Sequence, residues 1–127
     1  MKATTVVLPY PPSANRYWRV NRQTGKPYKS EEARQYIEAV GWELALHGPR
    51  EPEIDTVSVH VKFARPAGRR IDLDNGIKVL VDAMQGYLYV NDNQVAHIEA
   101  EIAHIPKGRD PYVVVTVRPC VIQVLEA

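Results

Sequence analysis

Arg69-Arg70-Ile71-Asp72-Leu73-Asp74-Asn75-Gly76-Ile77-Lys78 sets three cations, two carboxylates and an amide in ten residues, where the hydrophobic pattern changes period. Beyond it Leu73, Ile77, Leu80, Val81 and Met84 recur at helical spacing, with Asp74, Lys78, Asp82 and Gln85 on the opposite face. This predicts extended chain up to Asp72 and a helix beginning at or near Asp74, with Lys78 one turn further on. Two carboxylates at an exposed helix start can hold a divalent cation through hard oxygen donors, and the cation can hold a phosphate. The preceding arginines can meet the same phosphate chain. Each residue alone also fits an ordinary role: an aspartate N-cap, an i,i+4 Asp74–Lys78 pair, solvated arginines. A calcium EF-hand is excluded by register, because its glycine would fall on Ile77 and its final glutamate on Ala83.

Outward from that stretch, the 127 residues are 45% hydrophobic and 24% charged, which predicts a single domain over 1–127 with its own core. No apolar run approaches the roughly 20 residues of a membrane helix, and Met1-Lys2-Ala3-Thr4-Thr5 lacks the hydrophobic centre of a secretory signal. One cysteine, Cys120, excludes an internal disulfide and suits a reducing compartment. A cytoplasmic protein without a membrane partner is expected. The net charge of +1 neither demands nor excludes nucleic acid. Its distribution says more: Arg16, Arg19, Arg22, Lys26 and Lys29 crowd one segment, Arg65, Arg69 and Arg70 precede the acidic motif, and Lys107 and Arg109 sit in a late turn.

Upstream, 4–8 is a short β-branched strand ended by Pro9, Pro11 and Pro12. Asn15, Arg16, Tyr17, Trp18 and Arg19 then mix cations with aromatic rings, a combination that suits phosphates and stacked bases. The loop around Tyr17 is a candidate wedge for an opened nucleic acid; the alternative is a structural loop whose Tyr17 and Trp18 pack on the core, which fits Trp18 at least equally well. Residues 21–28 read as a hairpin-like turn. Ser30 followed by Glu31 and Glu32 starts a scaffolding helix that Gly48-Pro49 stops, with Ala33, Tyr36, Ile37, Val40 and Leu44 facing the core. Trp42 falls off that stripe, toward a second packing surface such as another subunit. The alternation across 54–63 is the clearest strand, with Val57, Val59, Val61 and Phe63 on one face.

Downstream, Gly86 is placed to end the second helix, and Asn91-Asp92-Asn93 has strong turn preference. A short return can bring Asp92 back beside Asp72; the alternative is an aspartate that only makes its turn. Residues 95–105 form a strand whose alternation is broken, consistent with a bulge. Residues 112–117 are a β-branched run expected to be buried on both faces. His47, His60, His97 and His104 show no metal-ligand spacing and are read as structural. The element order predicts an α+β fold, with two main helices on a mixed β-sheet.

On these residues the sequence resembles the RusA family of Holliday-junction resolvases, crossover junction endodeoxyribonucleases, over nearly its whole length. Leu8-Pro9-Tyr10-Pro11-Pro12-Ser13-Ala14-Asn15-Arg16-Tyr17 is similar to the family's opening Leu-Pro-x-Pro-Pro-Ser-x-Asn-Arg-Tyr. Arg69-Arg70-Ile71-Asp72-Leu73-Asp74-Asn75 with Lys78 resembles its catalytic signature, and Asn91-Asp92-Asn93-Gln94-Val95 matches its Asp-Asp-x-Gln-Val segment at the second aspartate. The resemblance implies a RusA-like fold in which Asp72, Asp74 and Asp92 bind magnesium, with manganese as a substitute, and Lys78 is catalytic. It also implies a homodimer that cuts four-way DNA junctions in recombination and repair. Asn91 stands where the family often has a further aspartate, and Ile71 separates the arginines from Asp72.

The chemistry is coherent with that expectation. Phosphodiester hydrolysis needs an activated water and positive charge at the phosphoryl oxygens, and Lys78 can orient the water or offset charge. Asn15, Arg16, Tyr17, Arg19, Arg65, Arg69, Arg70, Lys107 and Arg109 are the expected DNA contacts. A non-catalytic DNA-binding module, with its acids serving as caps and turns, is the alternative, and a small-molecule phosphohydrolase is a third.

Overall fold

The structure, a computed structural model, describes residues 3–68 and 73–126. The expected sites Arg69, Arg70 and Asp72 therefore lie outside the described residues. The alternation centred on Val59 becomes strand β4 (Val57–Pro66), which turns Val57, Val59, Val61 and Phe63 into the core. Around it stand β1 (Thr4–Pro9), β5 (Val95–Ile105) and β6 (Tyr112–Pro119), in the spatial order β1-β6-β4-β5. β6 runs antiparallel to both β1 and β4, whereas β5 is parallel to β4, so the sheet is mixed and the fold is α+β. A separate hairpin pairs β2 (Trp18–Val20) with β3 (Pro27–Lys29), where the sequence predicts a hairpin-like turn.

Helix α1 (Glu31–His47) begins and ends where its capping residues dictate. The Ser30 hydroxyl accepts from the Ala33 N–H at 3.1 Å, Glu31 and Glu32 occupy the first turn, and the Gly48 N–H reaches the Leu44 carbonyl at 2.8 Å. Ala33, Tyr36, Val40 and Leu44 are buried as the stripe requires, and Trp42 is 65% exposed. Helix α2 (Leu73–Met84) carries the chain from the end of β4 back to the start of β5, the crossover that a parallel pair needs. Its buried residues are Val79, Leu80, Ala83 and Met84, while Leu73, Ile77 and Val81 are only half-buried. The stripe is thus rotated from the expected one, because the 10–17 loop covers the Val79 side of the helix. Gly86, at φ 89°, turns the chain after α2 in the left-handed region that favours glycine.

One expectation about the sheet is corrected. Strand β6 is not buried on both faces: Val113, Val115 and Val117 are buried, but Val114 and Thr116 are half-exposed. Register places these two beside Val7 and Thr5 of β1 and beside Lys62 and His60 of β4. The buried residues of both helices join the core on the opposite face. The β-branched run therefore reflects a central strand position with close cross-strand packing, not burial on two sides. The anticipated bulge is present, since Val57 pairs with Val95 but Ser58 with His97, leaving Ala96 as the extra residue of β5. On the open face His60 meets Glu101 at 3.4 Å and His97 meets Glu99 at 3.2 Å, so each of these histidines has a surface carboxylate as its neighbour.

The register fixes what gathers at each end of the sheet. Pro9 lies opposite Tyr112, Tyr112 opposite Ala64, and Ala64 opposite Ala103. The 10–17 loop, the end of β4 with Arg65, and the 106–111 turn with Lys107 and Arg109 therefore leave the sheet at one end.

Candidate active site

The 10–17 loop is built to hold one ring inward. Pro11 is buried, and Ser13 caps a 3-10 turn (Ala14–Arg16) by accepting from the Asn15 N–H at 3.2 Å. The Tyr17 carbonyl then accepts from the Ser30 N–H at 2.8 Å, and the Ser30 hydroxyl donates to the Arg16 carbonyl at 2.6 Å. One buried serine thus caps α1 and pins the loop to it. Tyr17 is 4% exposed and its hydroxyl donates to the carboxylate of Asp82 on α2. Lys29 reaches the same Asp82 oxygen at 3.2 Å and stands 5.7 Å from the Tyr17 ring centroid. Burial, then the hydrogen bond to Asp82 and its negative charge, hold the Tyr17 phenol well above its ordinary pKa, so it stays a donor.

Beside this linkage lies a cleft of ≈ 320 Å³ lined by Ala14, Tyr17, Trp18, Lys78, Asp82 and Asp92. Lys78 and Asp82 come from the polar face of α2 and are one turn apart. Asp92 arrives from the 3-10 turn (Asp92–Gln94) ahead of β5, and that turn is tightly fixed. Asn91 and Gln94 form a reciprocal capping box, with the Asn91 N–H donating to Gln94 Oε1 at 2.8 Å and Asn91 Oδ1 accepting from the Asn93 N–H at 3.0 Å. Gln94 Nε2 donates onward to the Glu53 and Asp55 carbonyls at 2.7 and 2.8 Å. The Asp92 N–H donates to Gln85 Oε1 at 2.8 Å, which ties the turn to the end of α2. Beneath it Tyr89 is fully buried and donates to the Val81 carbonyl at 2.5 Å. Burial above all, with the charges of Asp92 and Asp82 adding to it, raises the Tyr89 pKa.

The sequence profile described as Endodeoxyribonuclease RusA matches residues 9–118. The chain belongs to the RusA family. It is 30% identical over 116 residues to the crossover junction endodeoxyribonuclease RusA of Escherichia coli K12, covering 85% of this chain and 89% of that one. The same identity and coverage hold for the protein of that name from Enterobacteria phage 82. Over 94 residues it is 34% identical to that from Enterobacteria phage HK97, covering 69% of this chain and 72% of that one.

In this member of the family the expected catalytic residues are brought together in part. Lys78 and Asp92, 14 positions apart in sequence, share the cleft. Asp74 is exposed in the first turn of α2, one turn before Lys78 and about 6 Å from it along the axis; it does not line the cleft. Among the described residues no three His, Cys, Asp or Glu lie close enough to hold a metal, and Asp72 is outside that set. The donor chemistry fits a hard cation: Asp74 and Asp92 are exposed carboxylates, and no ion pair among the described residues engages either. Asp82 differs, with one oxygen already shared by Tyr17 and Lys29. Asn91, where an acid is common in the family pattern, serves here as the cap of the Asp92 turn.

The expected DNA contacts divide. Asn15, Arg16, Arg19, Lys107 and Arg109 are exposed. Arg65 is half-buried and donates to the Tyr10 hydroxyl at 3.3 Å, with its guanidinium 5.8 Å from the Tyr10 ring. Tyr17, in the loop expected as a wedge, is turned inward and committed to Asp82, so its ring does not present a surface to DNA. Its neighbour Trp18 is 50% exposed instead, so packing on the core, the alternative weighed for both rings, holds for Tyr17 and not for Trp18. Sequence reasoning missed Asp82, which looked like any polar residue on an amphipathic helix. Its partner Tyr17 stands 65 positions away in the chain, and no local pattern signals that meeting.

Proposed function

We propose that this chain is a metal-dependent, structure-selective endodeoxyribonuclease that resolves four-way DNA junctions by paired cuts in opposed strands. The observation that carries the reading is the cleft joining Lys78 and Asp92, with Asp74 a turn away, in a chain whose residues 9–118 match the RusA profile. Asp72, Asp74 and Asp92 would hold magnesium, or manganese in its place, and the bound ion supplies charge neutralisation at the phosphoryl oxygens and favours water deprotonation. Lys78 approaches the same phosphate from α2 and offsets the negative charge that builds in the transition state. Gln85 accepts from the Asp92 N–H and Gln94 anchors the neighbouring Asn91, so the backbone that carries the Asp92 carboxylate is fixed before DNA arrives.

Exposed cations at one end of the sheet, Lys107 and Arg109 among them, suit the phosphates of the arms. Two equivalent nicks call for two equivalent sites, which a two-fold homodimer supplies. No helix among the described residues is long and apolar enough to cross a membrane, and DNA processing of this kind belongs in the cytoplasm.

The test uses a synthetic mobile four-way junction with magnesium, beside a linear duplex of the same sequence. Paired, symmetric nicks in the junction alone support the reading. Binding without cutting at any pH would favour a DNA-binding module whose acids only cap and turn.

A further inference from the structure

We infer that Trp18 and the cleft beside it form a binding site for an unpaired nucleobase, and that this site supplies part of the preference for branched over linear DNA. The inference rests on the nuclease reading above. A tryptophan 50% exposed next to the core presents a large aromatic surface to solvent, and its neighbour shows why it does so. Tyr17 closes the 3-10 turn with its ring held inward by Asp82 and Lys29, and Trp18, the first residue of β2, stands exposed beside it. Its ring meets Tyr17 at 5.4 Å and 82°, an edge contact that fixes its position, and its backbone pairs with Lys29 in the β2–β3 hairpin. The ring is therefore preorganised, and little freedom is lost when a flat group stacks on it.

The cleft's size and charge select the occupant. At ≈ 320 Å³ it lies at the low end of small-ligand pockets, room for one ring system rather than a whole nucleotide chain. Asp82 on its wall, outside the expected metal ligands, can accept from an N–H on a base edge, while Asp92 and Lys78 at the same wall are left to the phosphate that flanks the stacked base. A base inside a regular duplex is stacked and paired, so reaching the cleft requires extrusion, which is least costly where pairing is already broken. The centre of a branched junction offers such bases. Stacking on Trp18 then favours the branch without reading sequence, because every base has an aromatic face.

Trp42→Phe makes Trp18 the sole tryptophan of the chain, since the sequence holds two and Trp42 lies exposed on α1. Its emission is titrated with four-way junction and with linear duplex, in the absence of divalent metal so that nothing is cut. Quenching by the junction and not by the duplex is expected. Trp18→Ala should lose about 5- to 150-fold in junction affinity with duplex binding unchanged, and Trp18→Phe should recover most of the loss. Unchanged emission on a tightly bound junction, or a Trp18→Ala protein that still discriminates junction from duplex, overturns the inference while leaving the nuclease reading intact. If the wild-type chain neither binds nor cuts junctions, the nuclease reading fails and this site falls with it. Should Trp18→Ala not fold, the sole-tryptophan emission and the Trp18→Phe protein decide the matter.

Discussion

Tyr17 on the 10–17 loop and Asp82 on α2 are joined by a hydroxyl-to-carboxylate hydrogen bond across 65 positions of chain, and Lys29 closes on the same carboxylate at 3.2 Å. The Lys29–Asp82 pair alone, about a third exposed on each side, contributes little. The tyrosine bond differs because one partner is buried in the core. It couples the loop that presents Asn15, Arg16 and Trp18 to the helix that presents Lys78.

Tyr17→Phe should therefore lower stability by about 1.5–3 kcal/mol, the range for a hydrogen bond to a charged group, as read from urea unfolding. Asp82→Asn should weaken the same linkage while leaving magnesium affinity, measured by titration calorimetry, at the wild-type value. A large loss of metal affinity in that variant would make Asp82 a ligand and contradict the assignment.

Gln94 is the residue through which the Asp92 turn is anchored to the Glu53 and Asp55 carbonyls. Gln94→Ala should reduce metal affinity or cleavage by about 10- to 100-fold, as loss of an orienting partner does, with junction binding retained. Band-shift and cleavage assays on the same preparation separate the two effects.

Gly76 in the first turns of α2 faces a tight contact, since an added Cβ would come within 2.9 Å of the Phe63 ring, which is 1% exposed. Alanine gains about 1 kcal/mol in helix propensity over glycine, but overpacking a filled core costs about 1–3 kcal/mol, so Gly76→Ala should be net destabilising. A double-mutant cycle with Phe63→Leu should recover part of the loss.

Burial holds the Tyr36 phenol far above its ordinary pKa, and its hydroxyl donates to the Pro9 carbonyl at 2.7 Å; Tyr17 is raised as well. A group whose folded pKa is raised contributes stability that is fully present below its unfolded value, about 10 for tyrosine, and is lost as pH rises toward the folded value. Urea midpoints should accordingly fall as pH climbs above about 10. Tyr36→Phe should be less stable at neutral pH but show a shallower alkaline decline.

Much of this architecture was legible from local signals. Ser30 and Gly48 bound α1, alternation marks β4, and the polar face of α2 carries Lys78 as its spacing implies, because each rests on chemistry within a few residues. What escaped depends on contacts between distant segments. The chain turns at Tyr17 before β2 begins at Trp18, so no local period says which ring points inward, and the contact with Asp82 decides it. Burial of Val79 follows from the loop laid over α2, and the half-exposure of Val114 from both helices packing on one side of the sheet. The candidate site could be named from the sequence only as a set of residue types, and the meeting of Lys78 with Asp92 came from the crossover that returns the chain beside α2.

The most direct measurement follows the rate of paired nicking of a four-way junction against magnesium concentration, for the wild-type chain and Asp92→Asn side by side. The wild-type rate should rise with magnesium to saturation. The variant should bind the junction as tightly and cut it at a rate near background at every concentration. Equal cutting by Asp92→Asn, or a wild-type rate indifferent to magnesium, would contradict the account.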